Sequence, residues 1–532
     1  VDCTARFLPY SDTHQFSSLV LDYLNRENAL SGFYAHFPSP EGIKAAVEQR
    51  IKNQVNRKVI VEAFRKTHLS RPLTRAQAKN LEALENENTF TVCTAHQPNI
   101  FSGYLYFIYK TLHAISLADS MNQQMPGNHF VPVFYIGSED NDFEELSQIN
   151  LDGQKLKWET KQTGAVGRMK VDKGLLALIH RIEGRLGVET RGAELIEILK
   201  DSYTEGVTIT EATFRLLNHL FAEYGLLILQ PDQPELKRQM IPVFKEDLES
   251  HLPYQLVEKS RTELKESYKA QVNPREINLF YLEDDSRQRI TKKDGAFFVE
   301  GTNKQFTELE IMSELEHHPE KFSPNVVLRG IYQETILPNI AFIGGGSETA
   351  YWLELKKLFE HFKVPFPVLV LRNSFLLMSR EQEIRLQKTG WRIEDLFQPD
   401  FDLMNRLVKK QSKHQLSLEQ EVADAKLFYT KISTSAIAID QTLTQHVAAI
   451  EKKALTHLRT LEKKMLRAEK RKFEAEHRQI QKIKAELFPN NGLQERVDNI
   501  LPYYARYGKE IIDCILRQSP ATDMQFGIIS GF

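Results

Sequence analysis

The most restrictive pattern in this chain is an apolar run of strand length that stops in a polar turn and restarts as a helix. It occurs within TVCTAHQPNIFSGYLYFIYK, the stretch Thr91 to Lys110. Thr89 to Ala95 reads as a buried strand, His96-Gln97-Pro98 ends it, and Ser102-Gly103 breaks the chain. Leu105, Ile108, Leu112 and Ile115 then recur at helical spacing. Strand, turn and helix of this kind open a doubly wound α/β sheet. Ligands bind such sheets outside the carboxyl ends of the strands, where the helix N-terminus offers free N–H groups. That position makes His96, Gln97, Gly103 and Tyr104 candidate site residues, with a plain connecting turn as the alternative.

Two further turns repeat the pattern. HFVPVFYI, His129 to Ile136, runs straight into Gly137-Ser138-Glu139-Asp140-Asn141-Asp142-Phe143-Glu144-Glu145. The third lies in SPNVVLRGIYQETILPNIAFIGGGSETAYW, Ser323 to Trp352. Here a strand carrying Arg329 is expected, followed by Gln333-Glu334, the strand Ile340 to Ile343, and the turn Gly344-Gly345-Gly346-Ser347-Glu348. The three glycines would allow positive φ and close approach of a ligand, Ser347 could cap the next helix, and Tyr351 and Trp352 would stand on its first turns. The spacing is neither GxGxxG nor GxxxxGK[ST], so no dinucleotide or P-loop motif supports it.

Further strands are expected at Tyr224 to Leu229, Asn278 to Leu282, Asn325 to Leu328 and Phe366 to Leu371. Helices are expected at 174–186, 193–203, 208–223 and 235–250. The class is therefore α/β over residues 87–385, a doubly wound parallel sheet with insertions near 150–205 and 255–320. Residues 1–86 read as a helical segment packing on that core. Residues 386–520 read as a helical coiled-coil domain, and 521–532 as a tail. No glycine falls between Gly390 and Gly492. Leu443, Val447, Ile450, Ala454, Leu461, Met465 and Ala468 follow three-four spacing, which resumes after a slip of one residue at Phe473, Ile480, Ile483 and Leu487. One helix from Thr442 to Leu487 would be about 70 Å long and would need partner helices, expected near 416–434 and 493–517.

Charge and cysteine content exclude several classes. The net charge is −2 and the pI about 6.8, which argues against a general nucleic-acid binder. Twelve Lys/Arg face six Asp/Glu between Glu451 and Glu486, a pattern that a solvated helix face explains. The three cysteines, Cys3, Cys93 and Cys514, form no CxxC pair, so neither a disulfide framework nor a cysteine zinc site is expected, and a reducing cytoplasm is the simplest compartment. No apolar run approaches the ~20 residues of a membrane span. The opening residues lack a leader pattern, so no signal peptide is expected, and a start on Val1 would fit a segment beginning inside a longer chain.

If the strands are parallel neighbours, the three turns converge on one pocket. Glu139, Asp140, Asp142 and Glu144 could hold a substrate ammonium, bind Mg²⁺ or act as base; a solvated helix start is the competing explanation. Arg329 in an apolar strand would need a carboxylate, either Glu334, Glu348 or a substrate's. No histidine pair has HxxxH or HExxH spacing, so no metal site is expected.

The three blocks and the basic helix with LEKKMLRAEKRK together resemble, over nearly the whole chain, the bacillithiol biosynthesis cysteine-adding enzymes. That resemblance implies a Rossmann-type core similar to class I aminoacyl-tRNA synthetases, connecting-peptide insertions, and a homodimer built through the coiled coil. It implies a ligase that adds L-cysteine to the glucosamine amine of glucosaminyl-malate, the last step of bacillithiol synthesis. Asp140, Glu139 and His96 would then be the catalytic candidates. Gln97, Gly103, Tyr104, Lys110, Asn141, Asp142, Arg329, Gln333, Glu334, Gly344, Gly345, Gly346, Glu348, Tyr351 and Trp352 would be the substrate-binding ones. Activating a carboxylate calls for ATP, with Mg²⁺ as a companion; Arg329 and Lys110 would receive the malate carboxylates, and Asp140 or Asp142 the cysteine ammonium. The sequence departs from the family at Ala95-His96-Gln97-Pro98-Asn99, Asn141 and Gly346-Ser347. Arg372-Asn373-Ser374 stands where a KMSKS-like loop would fall. A non-catalytic nucleotide-binding dimer and a tRNA-binding protein are the alternative readings.

Overall fold

The computed structural model describes residues 2–414 and 416–532. Val1, where the expected N-terminal segment begins, and Gln415, inside the expected helical domain, lie outside the described residues. The chain forms two compact units: residues 1–11, 15–378 and 492–532 in one, and 12–14 with 379–491 in the other.

The first unit is built on five parallel strands: Thr89–His96, His129–Ile136, Leu227–Leu229, Asn339–Gly344 and Val368–Leu371, taken in chain order. Across the sheet they run fifth, fourth, first, second, third. This is the doubly wound order, with the strand order reversing between the first and fourth strands, where such sheets open a crevice. Their residues are buried almost without exception, as strands covered on both faces must be. One face packs on the helix Leu105–Gln124, and the other on Ile60, Phe64 and Trp352.

Several expectations change at this level. Asn325 to Leu328 is not a strand. The strand is Phe322–Pro324, and Val326–Ile336 is a helix whose Asn325 cap accepts the Val327 N–H at 2.8 Å. Most of that helix is buried, so its VVLRGIY run is apolar enough to imitate a core strand. Phe322–Pro324 joins a separate antiparallel sheet with Leu279–Leu282, Arg287–Lys293, Ala296–Val299 and Gln305–Phe306, which occupies the second expected insertion. Residues Ile43 to Phe64 form two helices, Pro40–Ile51 and Arg57–Thr67, and a strand, Thr4–Leu8, precedes them.

That first strand pairs with Phe526–Ser530, which in turn pairs with Ser374–Met378. Residues 492–532, expected to finish the helical domain and to form a tail from 521, therefore belong to the first unit. Cys3 and Cys514 form a disulfide there, which corrects the expectation that the cysteines stay apart. They are 511 positions apart in sequence, and only the return of the C-terminal segment to the N-terminal strand brings them together.

The second unit is helical. Glu419–Ile437 and Leu443–Lys470 pack as a hairpin, followed by Glu474–Leu487. The expected single helix to Leu487 is interrupted by a 3-10 turn at Arg471–Phe473, the place where the apolar spacing slips by a residue.

Candidate functional site

The crevice at the strand order reversal is a cleft of about 780 Å³. Its walls come from the ends of the first, second and fourth strands, the helix Val326–Ile336, the insertion sheet, Arg372 and Arg496.

At the first strand end, the His96 Nδ1 accepts the Gln97 N–H at 2.8 Å, and Nε2 faces the Tyr106 hydroxyl at 3.3 Å. An accepting Nδ1 leaves the proton on Nε2. Burial, with the Lys110 charge adding to it, pushes this imidazole down to about 3 against the pull of Glu348. His96 is thus neutral at ordinary pH with its basic lone pair engaged, so this catalytic candidate is not poised as a base. Phe101, Ser102 and Gly103 all take positive φ (51°, 66° and 61°), and a Cβ at Gly103 would meet Asn99 Cβ at 2.9 Å. The strained turn is held from outside: the Phe101 N–H donates to the Tyr203 hydroxyl at 2.7 Å, and Asn499 donates to the carbonyls of Phe101 and Gly103. The Leu105 N–H at the helix start is claimed by the Asp498 carbonyl at 2.8 Å. Gly103 shapes the loop from a buried position outside the cleft lining, whereas Tyr104 lines it.

Lys110 is 1% exposed and lies behind the wall. Its Nζ donates to the Ala95 carbonyl at 2.6 Å and to Glu348 Oε2 at 2.7 Å. It is therefore committed to the fold and is not a receiver for substrate carboxylates. Burial works to raise the Glu348 carboxyl, but the Lys110 charge and the Gly345 N–H hold it below the usual range. Glu348 Oε2 also accepts the Gly345 N–H at 2.8 Å, so the chain's own carboxylate sits at this helix start. The cap is Gly345, not Ser347, and none of Gly344, Gly345 and Gly346 has positive φ. The need at Gly344 is for space: a Cβ there would meet Phe342 at 2.9 Å and Glu348 at 3.0 Å.

At the second strand end, Asp140 Oδ2 accepts from Gln97 Nε2 at 2.9 Å and its Oδ1 accepts the Asp142 N–H at 3.1 Å. Asp142 caps the short helix Phe143–Leu146, as a solvated helix start would. Asn141 accepts from Arg287 at 3.3 Å, and both Asn141 and Asp142 are exposed outside the cleft lining. Glu145 lines the cleft, and burial, with Asp142 and Asp140 nearby, raises its carboxyl. Glu139 is tied to Lys237, and its Oε2 accepts from Ser323 Oγ at 3.0 Å.

Arg329 lines the cleft from its helix, and its guanidinium donates to the Tyr351 hydroxyl. Burial opposes the charge, and the Tyr351, Tyr135 and Glu348 oxygens outweigh it. Among the described residues no carboxylate lies within ion-pairing distance of Arg329. The expected protein partners are taken: Glu334 pairs with Arg50 at 3.0 Å, both fully buried, and Glu348 pairs with Lys110. Gln333 donates to Glu334, and Trp352 packs among Phe342, Phe359 and Phe366, so these candidates are core residues and touch no cleft.

Sequence reading missed four cleft cations or their anchors. Arg287 donates to Ser323 Oγ at 2.9 Å and the Pro324 carbonyl at 3.0 Å, over the Phe280 ring. Arg372 is locked by Glu495 through two bonds of 2.9 and 2.7 Å, while Asn373 holds Ser519 and Pro520. The Arg372-Asn373-Ser374 segment is thus a fastened corner of the core. Arg496 stands exposed at the rim and, among the described residues, makes no ion pair. Lys237 is fully buried behind Glu139. Arg372 follows the apolar run Phe366 to Leu371, whereas Arg287, Lys237 and Arg496 lie in polar stretches of a kind that many surface positions share. Among the described residues no group of three or more His, Cys, Asp and Glu side chains is placed to hold a metal ion.

The chain matches two family models. Residues 4–373 match "Bacillithiol biosynthesis BshC, N-terminal Rossmann-like domain", and residues 375–530 match "Bacillithiol biosynthesis BshC, C-terminal coiled-coil domain". It is 38% identical to a Flavobacterium johnsoniae protein over 98% of this chain and 99% of that one. It is 38% identical to a Flavobacterium psychrophilum protein over 98% of each, and 36% identical to one from Christiangramia forsetii, also over 98% of each. All three are provisionally named cysteine ligase BshC. A solved Campylobacter jejuni chain, provisionally titled an arginyl-tRNA synthetase, aligns with a TM-score of 0.20 and 11% identity, a superposition too poor to carry an argument.

Proposed function

The chain belongs to the bacillithiol biosynthesis BshC family, and from that premise we propose that it is an amide-forming ligase joining the carboxylate of L-cysteine to the glucosamine amine of glucosaminyl-malate. The observation that carries this reading is Arg329. Removing a guanidinium from water costs several kcal/mol unless an anion compensates, and the described residues supply a tyrosine and no carboxylate within ion-pairing distance. A substrate carboxylate is the partner the cleft lacks, and glucosaminyl-malate brings two. Arg496 at the rim would meet the second.

At the other polar end, Asp140, oriented by Gln97, and Glu145 suit the cysteine ammonium. Condensing a carboxylate with an amine in water needs activation, which ATP would supply. Mg²⁺ would come with the phosphates, keeping most of its waters. No helix among the described residues is long and apolar enough to cross a membrane. A cytoplasmic enzyme is the natural setting for this chemistry.

A homodimer is part of the proposal. The helix Glu419–Ile437 buries no residue, and Leu427 and Phe428 are 63% and 59% exposed. An apolar face with no core is what a second copy would cover.

The test is to incubate the purified chain with cysteine and glucosaminyl-malate, with and without ATP, and follow the thiol product by mass. Nucleotide-dependent product is expected. No product under any nucleotide condition, from a folded chain, would overturn the reading. A nucleotide-binding protein without catalysis would bind ATP and yield nothing.

A further inference from the structure

Behind the cleft wall lies a charge network that the fold alone does not require. Lys237, on the short helix Pro234–Arg238, has no exposed surface, yet its ammonium meets Glu139, Asp232 Oδ1 at 3.3 Å and the Glu320 carbonyl at 2.9 Å. Asp232 is gripped by Arg168 at 2.8 and 3.1 Å. Ser323 donates to the other Glu139 oxygen while accepting from Arg287 at 2.9 Å. Glu139 is the one member of this network whose carboxylate sits at the strand end and borders the cleft. Replacing such a buried set by apolar residues is often neutral or stabilising, so its retention needs a reason beyond stability.

Resting on the ligase reading, we propose that Lys237, held by Asp232 and Arg168, is the positioning residue that aims Glu139 into the cleft as the base for the sugar amine. The step moves one proton: the substrate's R–NH₃⁺ gives it to the Glu139 carboxylate, leaving R–NH₂ with a free electron pair and Glu139 as the neutral acid. No other co-reactant enters. His96 holds a proton on Nε2 and an N–H bond at Nδ1, and Asp140 and Glu145 are the pair assigned to the cysteine ammonium. Burial raises the Glu139 carboxyl while Lys237 opposes that rise and Asp232 adds to it, bringing the group closer to a base's working range.

The groups facing Glu139 come from every side. Lys237 and Asp232 approach from one segment, Arg168 from the turn Val166–Arg168, and Arg287 from the insertion sheet. Tyr135 lies on its own strand and Tyr332 on the Arg329 helix, with Asp140 next in the chain. Two of these give opposite signs. Lys237→Met removes the neighbouring cation and should move the acid limb of kcat/KM up by about one pH unit, with activity near neutral pH down about tenfold. Asp232→Asn removes the neighbouring anion and should move the same limb down, by about half a unit or more. Lys237→Arg should restore most of the wild-type limb. A merely structural role would lower activity in all three without opposed shifts.

The experiment is a set of pH profiles of kcat/KM for thiol product formation in the full-length chain, with thermal melting to identify variants that do not fold. If Lys237→Met fails to fold, Asp232→Asn alone still reads the downward shift. An active wild type whose acid limb stays in place in every folded variant overturns this assignment alone. A wild type inactive on cysteine and glucosaminyl-malate overturns the ligase reading and this assignment with it.

Discussion

The two units of the chain reveal their uses through opposite deficits. In the first unit most buried charges are matched: Lys110 with Glu348, Arg50 with Glu334, Arg372 with Glu495. Against that background the cleft cations Arg287 and Arg329 make no ion pair among the described residues: Ser323, Asn141 and the Pro324 carbonyl satisfy Arg287, and Arg329 has the Tyr351 hydroxyl. In the second unit charge is plentiful and solvated, and what lacks a partner is apolar: Leu427, Phe428 and Ile439 on a hairpin with almost nothing buried. A matched group reports on stability, and an unmatched one on a ligand or a second copy. Lys110 and Arg329 make the same point within the first unit, because both look like substrate cations in sequence and only one is available.

The comparison breaks first at Arg329. Arg329→Met should cut thiol formation at least about 100-fold while leaving the melting temperature nearly unchanged, since no protein carboxylate is stranded. Kinetics beside a thermal melt check both halves. Lys110→Met should do the reverse. It strands Glu348, itself about one quarter exposed, and should cost about 2–3 kcal/mol in urea unfolding. Equal stability with lost catalysis would move Lys110 into the site. In the second unit, Leu427→Asp with Phe428→Asp should weaken self-association about tenfold or more in sedimentation. An unshifted mass would mean that this face has another occupant.

The smallest effect is a pH slope. Asp247 accepts the Asn278 N–H at 2.6 Å and its Nδ2 at 3.0 Å, and burial pushes its carboxyl up to about 7. An unfolded aspartate titrates near about 3.9, so between roughly pH 4 and 7 the unfolded chain has lost a proton that the fold retains. This group's contribution to stability is therefore fully present below about pH 4 and lost as pH rises through about 7. Asp247→Asn, which does not titrate, should lower stability at both pH values by losing one Asn278 bond, yet flatten that decline by about 1–2 kcal/mol in urea unfolding at pH 5 against pH 7. A slope equal to wild type would place the retained proton elsewhere. Asn278 in turn holds Asn325, the cap of the Arg329 helix, so the same variant asks whether this support reaches the cleft.

Much of this architecture was legible from periodicity. Strand–turn–helix punctuation located four of the five core strands closely, together with the three turns that line the cleft, because strands buried on both faces leave continuous apolar runs. The same rule misled at Val326–Ile336, where a nearly wholly buried helix is equally apolar. The glycine run signalled a tight place, although its reason is packing against Phe342 and Glu348 and not a left-handed backbone. Lys110, Gln333, Glu334 and Trp352 became site candidates because they lie in the three blocks that carry the family resemblance. Whether such a side chain faces the cleft or the core depends on neighbours hundreds of residues away. Lys237, Asp232 and Arg168 were invisible for the same reason: two segments supply them, and nothing in either announces the other. The return of residues 492–532 to the core is likewise a pairing between the two ends of the chain, which local pattern does not encode.

The central claim is that Arg329 receives a substrate carboxylate, and comparative binding tests it most directly. Calorimetric titration of glucosaminyl-malate and of glucosamine onto the wild-type chain should show a preference of about tenfold or more for the malate-bearing sugar. The same pair titrated onto Arg329→Met should show that preference gone. An Arg329→Met chain that still prefers glucosaminyl-malate as strongly as the wild type would contradict the account.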